Sequence, residues 1–186
     1  LLQSVWRHVP GLASLVSRLT GFTTKRSLPK WHSNAFRNGE IGSAPTGAVT
    51  PVVLFADTFN LYFEPENLRA AIRVLRAAGY DVFAPTPAAG RPYCCGRTYL
   101  SAGMVDKARA EAERLVTALY PLARSGVRIV GLEPSCTLAL RDEVPALLGT
   151  AQAEAVAEAT LTFAELIEAD RPDLPMSAEA DGRLSL

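Results

Sequence analysis

A short continuous apolar run, Val52-Val53-Leu54-Phe55-Ala56, decides how this chain folds. Runs of this length and composition are typical of parallel strands that are covered on both faces. Similar runs cover residues 80–84 and 127–132, and apolar residues at helical spacing cover residues 65–78 and 105–122. This alternation predicts an α/β fold in three layers, with an open, mainly parallel sheet and flanking helices.

The pattern predicts three units along the chain. Residues 1–50 form an N-terminal helix and a linker, because Pro and Gly interrupt the helical period after residue 20. Residues 51–170 form the α/β domain, and residues 171–186 form a polar tail. Within the domain, we expect residues 153–169 to form one final helix.

Composition limits the classes of function. A chain of 186 residues with 48% hydrophobic and 20% charged residues is typical of one globular domain. Its net charge of zero gives no reason to expect a nucleic-acid partner. No apolar run reaches the roughly 18 residues of a transmembrane helix. Three cysteines favour reduced thiols in the cytoplasm over a disulfide framework. The chain begins without Met, which indicates a fragment of a longer polypeptide.

The cysteines carry the strongest chemical signal. They are Cys94 and Cys95, which precede Gly96, and Cys136. Adjacent cysteines can serve one compact site only in an irregular turn, because neighbouring side chains diverge on helices and strands. Each group follows a predicted strand, and the carboxyl ends of parallel strands share one edge of a sheet. We therefore predict three thiols at one metal or redox site. A turn at the start of a helix also favours thiolate.

Polar residues at the same edge extend the candidate site. Asp57 ends the first strand, where it is either a fourth metal ligand or part of an Asx turn. Glu133 is either an acceptor or general base near the site, or a carboxylate that favours a helix start. Arg97 either binds a substrate carboxylate or pairs with Asp106 or Glu133.

These residues resemble a known family. Four segments, which follow one another along the chain at residues 54–59, 94–97, 101–103 and 131–136, are similar to the cysteine-rich CCG domain. That domain occurs in one of the subunits of heterodisulfide reductase, in the iron–sulfur subunit of glycolate oxidase and in one of the subunits of anaerobic glycerol-3-phosphate dehydrogenase. The resemblance is closest to the C-terminal part of FAD-linked, iron–sulfur D-2-hydroxyacid dehydrogenases of the D-lactate type, and it covers residues 51–148.

The resemblance implies an iron–sulfur or electron-transfer domain of a flavin-linked oxidoreductase. The whole enzyme would oxidise a D-2-hydroxyacid of the lactate, glycolate or 2-hydroxyglutarate class, and this chain alone would not be catalytic. The implied ligands are Cys94, Cys95 and Cys136, with Gly96 and Arg97 beside them. The implied partners are flavin-binding and ferredoxin-type domains or subunits and the small hydroxyacid, with FAD bound outside this chain. The implied location is cytoplasmic, or peripheral at the inner membrane face through an electron acceptor.

The chain departs from the family pattern at two places. The turn that begins at Asp57 lacks the isolated upstream cysteine, and Ala139 stands where the family has the second cysteine of a Cys-x-x-Cys motif. A [4Fe–4S] cluster ordinarily uses four thiolates. Three alternatives follow: a cluster completed by another ligand, a mononuclear zinc or ferrous site, or a metal-free docking module. A thiol redox enzyme, in which Cys94 or Cys95 pairs with Cys136, is a further alternative.

Overall fold

The structure, a computed structural model, describes residues 12–21, 30–42, 50–87 and 90–170. The predicted polar tail and the first part of the predicted N-terminal helix lie outside these ranges. The remainder of that helix is α1 (Leu12–Thr20). No helix in the described ranges is both long enough and apolar enough to cross a membrane.

The described residues form a four-stranded sheet with helices on both faces. Its strands are β1 (Pro51–Phe55), β2 (Asp81–Phe83), β3 (Arg128–Gly131) and β4 (Thr160–Thr162). The order is β2-β1-β3-β4, and the three pairings are parallel, which confirms the predicted α/β fold. The helices that follow α1 are α2 (Thr58–Tyr62), α3 (Pro65–Ala77), α4 (Arg97–Ser101), α5 (Val105–Arg124), α6 (Pro134–Arg141), α7 (Glu143–Leu148), α8 (Ala151–Ala159) and α9 (Phe163–Asp170).

Burial on both faces explains why β1 is apolar throughout. Successive side chains of a strand point to opposite faces. Val53 and Phe55 accordingly pack with buried residues of α5, α6, α7 and α8. Val52 and Leu54 pack instead with buried residues of α2, α3 and α9. The sheet is therefore the middle of three layers, and β1 contributes to both cores.

The segment before β1 also packs on the domain. The backbone N–H of Phe36 donates to the carbonyl of Leu61 in α2 at 2.9 Å, and the Phe36 side chain is buried. Further along, Gly42 forms a parallel bridge with Phe83 of the edge strand β2. Part of the predicted linker is thus held against α2 and β2, close to the carboxyl edge of the sheet.

The prediction of a single helix over residues 153–169 is wrong. The structure has β4 between α8 and α9, and β4 pairs with β3. The break lies at Thr162, whose hydroxyl accepts from the N–H of Glu165 at 3.2 Å, while the Glu165 carboxylate accepts from the N–H of Thr162 at 2.8 Å. This reciprocal pair is a capping box, which starts a new helix. Its Thr-x-x-Glu spacing was the available sequence signal.

We predict that Glu165→Ala weakens the junction between β4 and α9. Glu165 also pairs with Arg141 at 2.8 Å. Hydrogen bonds from Thr162, together with Arg141, lower the pKa of Glu165 from 4.5 to about 2. The variant should lose about 0.5 to 1 kcal/mol of unfolding free energy in urea at pH 7. Because the folded-state pKa is depressed, this difference should be complete above pH 4.5 and should shrink as the pH falls towards 2.

The matched control is Glu158→Ala, which removes an exposed glutamate from α8. It should change the unfolding free energy much less than Glu165→Ala. Equal losses in the two variants would contradict the capping role of Glu165.

Candidate thiol site

The order of the strands identifies one edge of the sheet as the site. Along the chain, β2 is added on one side of β1, whereas β3 and β4 are added on the other. In open α/β sheets, ligands bind at the carboxyl ends of the strands where the order reverses in this way. The turns that leave this position begin at Asp57 after β1 and at Glu133 after β3.

Gly96 controls the turn that carries the cysteine pair. Its φ of 79° lies in the left-handed region, where glycine is favoured, and it caps the start of α4. A Cβ at this position would lie 2.9 Å from the carbonyl oxygen of Ala108 in α5. The turn therefore needs glycine for two reasons, its backbone conformation and its close approach to α5.

The structure brings the three thiols together. The Sγ atoms of Cys95 and Cys136 are 3.3 Å apart, and both residues are buried, with 6% exposure. Cys94 is partly exposed, and its sulfur accepts from the N–H of Gly96 at 3.5 Å. All three are free cysteines, and they line one cleft. Sequence reasoning predicted this convergence from the shared edge of the sheet.

The cleft has a volume of about 660 Å³ and combines thiols with aromatic, hydroxyl and cationic groups. Beside it, the exposed ring of Trp31 packs against Phe63 in a tilted arrangement, with ring centroids 4.9 Å apart. Tyr99 lines the cleft, whereas Tyr93 packs against the core. The residues that line it are Thr58, Phe59, Tyr62, Phe63, Arg91, Pro92, Cys94, Cys95, Arg97, Thr98, Tyr99, Ser101, Ser135 and Cys136.

The surroundings of the cysteine pair favour the protonated form of Cys94 and of Cys95. The hydrogen bond with the Cys136 thiol, together with burial, raises the pKa of Cys95 to about 11. The hydrogen bond with Cys95, followed by burial, raises the pKa of Cys94 well above its usual range. The backbone N–H of Gly96 lowers the pKa of Cys94, but by less than these causes raise it. The backbone N–H groups of the turn therefore favour the thiolate, as expected, but the neighbouring thiol and burial outweigh them, so the net pKa of Cys94 and of Cys95 is raised.

Asp57 is buried and serves as the N-cap of α2. Its Oδ1 accepts from the backbone N–H groups of Phe59 and Asn60, both at 3.0 Å. Its Oδ2 accepts from the side-chain amide of Asn60 at 2.6 Å. Burial raises the pKa of Asp57 despite these bonds. Both oxygens are thus engaged in the turn, and a metal ion at Asp57 would compete with this capping. Its role as a ligand stays a prediction.

Glu133 and Arg97 also have structural partners. Glu133 caps α6, where its carboxylate accepts from the Ser135 hydroxyl at 2.8 Å and from the Ser135 N–H at 3.3 Å. Arg97 pairs with Glu143 at 2.5 Å. Of the two roles considered for Arg97, an ion pair is observed, but its partner is Glu143 and not Asp106 or Glu133, because the start of α7 presents Glu143 to α4. Substrate roles for Glu133 and Arg97 stay predictions.

An ion-pair network that sequence reasoning missed holds the loop before the cysteines. Glu111 is buried and pairs with Arg91 at 2.5 Å and with Arg114 at 2.8 Å. Arg114 also donates to the carbonyl of Pro92 at 2.5 Å. The available signal was an acidic residue on the inner face of α5, next to Ala112. A charge at such a position is expected to have a partner.

The arrangement does not fit a four-thiolate cluster. In the part of the chain that the structure describes, no group of three or more His, Cys, Asp or Glu side chains is arranged to hold a metal ion. The sulfurs of Cys95 and Cys136 lie in contact as hydrogen-bonded thiols and are not spread around a common centre. A [4Fe–4S] cluster would also need a fourth ligand.

We predict that Gly96→Ala destabilises the fold more than Gly103→Ala. Both glycines have a left-handed φ, of 79° and 72°, but a Cβ at Gly103 would meet no atom within 4 Å. The control therefore carries the backbone strain alone, about 1 kcal/mol. The clash with α5 should raise the cost of Gly96→Ala to about 2 to 4 kcal/mol. Urea unfolding measures both values, and equal losses would contradict the close approach of Gly96 to α5.

This chain, an α/β fold with a thiol site at its switch point, is similar in sequence to known dehydrogenases. No protein-family model matches the chain. The chain is 29% identical over 127 residues to a subunit of anaerobic glycerol-3-phosphate dehydrogenase from Escherichia coli K12, and equally to that of strain O157:H7; the match covers 67% of this chain and 31% of the relative. The chain is 38% identical over 102 residues to D-2-hydroxyglutarate dehydrogenase from Pseudomonas putida. This match covers 53% of this chain and 10% of the relative. No solved structure matches this chain significantly.

These relatives are dehydrogenases or their subunits, so the chain is similar to proteins of the oxidoreductase class. They support the resemblance recognised in the sequence at that coarser level. The chain spans about a third of the length of one relative and a tenth of the other. The CCG domain itself stays a prediction.

Proposed function

We propose that this chain is an electron-transfer domain of a flavin-linked oxidoreductase that oxidises a D-2-hydroxyacid. The observation that carries the proposal is the convergence of Cys94, Cys95 and Cys136 in one cleft at the switch point of the sheet. Thiols at such a position suit a redox centre that must be reached from outside the domain. The likeness to dehydrogenases supports the same class of activity.

The substrate and the flavin belong to other parts of the enzyme in this proposal. The hydroxyacid is of the lactate, glycolate or 2-hydroxyglutarate class, and the last of these matches the name of one relative. The sequence has no Gly-x-Gly-x-x-Gly loop after a strand, so FAD binds in a partner domain or subunit. The flavin supplies the hydride chemistry. The assembly works in the cytoplasm, or at the inner membrane face through its electron acceptor.

An iron–sulfur cluster is the cofactor that the family resemblance implies. Cys94, Cys95 and Cys136 offer three sulfur ligands, one fewer than such a cluster ordinarily uses. A cluster at this site therefore needs a fourth ligand from outside the described residues, or displacement of the hydrogen bonds of Asp57. The domain's own contribution is the packed turn that holds the three sulfurs at the base of the cleft.

A docking module, either metal-free or zinc-binding, is the second candidate. It is favoured by the exposed aromatic groups beside the cleft, since Trp31 is 65% exposed and Phe59 is 46% exposed. Aromatic side chains are enriched at protein interfaces. Such a module would bind flavin or ferredoxin subunits without carrying electrons.

The first test measures iron, zinc and acid-labile sulfide in anaerobically purified protein. An iron–sulfur electron-transfer role requires that iron and sulfide accompany the wild-type chain and are lost in Cys136→Ser, because this change removes one of the three sulfurs. Ser101→Ala is the matched control, since it alters another residue of the same cleft without removing sulfur. It should retain the wild-type content.

The second readout is electron transfer in the assembled enzyme. Substrate should still reduce the flavin in the Cys136→Ser enzyme, while transfer to the external acceptor falls at least tenfold. Wild-type protein without iron, together with normal transfer in Cys136→Ser, would exclude an electron-transfer role. That result would favour the docking module.

A further inference from the structure

We infer that Cys95 and Cys136 form a reversible dithiol–disulfide pair that exchanges with low-molecular-weight disulfides in the cleft. This inference is independent of the proposed electron-transfer role, because it concerns the same thiols in protein that carries no metal. It depends on two observations, the contact between the two sulfurs and their access to the cleft.

The sulfurs already lie close to bonding distance. Their separation of 3.3 Å must shorten to about 2.05 Å in a disulfide. Cys95 lies in the turn that precedes α4, and Cys136 lies in the first turn of α6. The two helices contact each other. Small side-chain rotations can therefore close the bond, which would join positions 41 residues apart in sequence.

Cys94 is the thiol that stays out of the pair. A bond between the adjacent residues Cys94 and Cys95 would be strained. The sulfur of Cys94 instead accepts a hydrogen bond from the N–H of Gly96. Cys94 is also the most exposed of the three cysteines. The geometry thus selects one pair of the three that are possible.

The surroundings of the pair suit an uncharged disulfide. Cys95 and Cys136 both belong to the apolar cluster on one face of the sheet, with Phe55, Leu115 and Ala139. Formation of the bond removes two weakly polar S–H groups and adds no charge. The packing around the sulfurs can therefore hold either state of the pair without leaving a buried charge unpaired.

The exchange balances without a further reagent. One thiol of the pair, after it loses its proton, attacks a sulfur of the small disulfide and displaces one thiolate. The other thiol then attacks the mixed disulfide and displaces the second thiolate. One S–S bond has formed in the protein and one has broken in the reagent. The protein has lost two electrons and two protons, which end on the two small thiols. The cleft of about 660 Å³ gives a small disulfide room to approach.

The test incubates the reduced full chain with glutathione disulfide, followed by acid quenching. Thiols that react with Ellman's reagent in denaturant should fall from the three free cysteines to one. Intact mass should show an internal disulfide, and digestion should yield peptides linked through Cys95 and Cys136. Dithiothreitol should restore the three thiols.

Single variants separate this pair from the alternatives. Cys94→Ser should still form the internal disulfide, whereas Cys95→Ser and Cys136→Ser should not. Circular dichroism checks that each variant is folded. A bond between Cys94 and Cys95, a stable glutathione adduct alone, or thiols that do not react would each overturn the inference.

Metal analysis of the same samples distinguishes this inference from the proposed function. Bound iron and sulfide with no disulfide at any reagent concentration would support the electron-transfer domain and overturn the pair. A disulfide between Cys95 and Cys136 in protein that carries no metal would support the pair while the electron-transfer proposal fails its own test.

Discussion

The site depends on how closely α6 lies over the end of β3. A Cβ at Gly131, the last residue of β3, would fall 2.0 Å from Oγ1 of Thr137. That hydroxyl donates to the carbonyl of Glu133 at 2.9 Å, which ties the first turn of α6 to its own cap. Cys136 directly precedes Thr137 in this turn, so the close approach of helix and strand holds its sulfur at the edge of the sheet. Gly96 provides the equivalent approach to α5 for the cysteine pair.

The same packing serves the two chemical interpretations of the thiols. Side chains brought into contact without a metal become hydrogen-bonded neighbours, and this contact with burial raises the pKa of Cys95 and of Cys94. A metal centre would have to displace these protons and separate Cys95 from Cys136, because ligands surround a metal ion and do not lie in mutual contact. A disulfide needs the opposite movement. The two interpretations therefore differ in the direction in which the sulfurs must move.

The departures from the CCG pattern have structural counterparts. Ala139 is fully buried in the core, one helical turn after Cys136. Its methyl group contributes to packing at the position where the CCG pattern, which the sequence resembles, has a second cysteine. On the other side of the site, Asp57 stands in the turn that lacks the family's upstream cysteine, and its carboxylate caps α2. Both positions supply stability to the elements that surround the three remaining cysteines.

Local sequence determined the class of fold, the three apolar strands and the shared edge that holds Cys94, Cys95 and Cys136. Alternating strand and helix patterns are sufficient for those predictions, because they imply parallel strands whose carboxyl ends share one edge. The prediction of one helix over residues 153–169 was wrong, because a capping box and the pairing of β4 with β3 outweigh helix propensity there. Only the tertiary structure decided that Arg97 pairs with Glu143, and that Cys95, not Cys94, contacts Cys136. These choices depend on the distances between elements far apart in sequence, which no local pattern of residues contains.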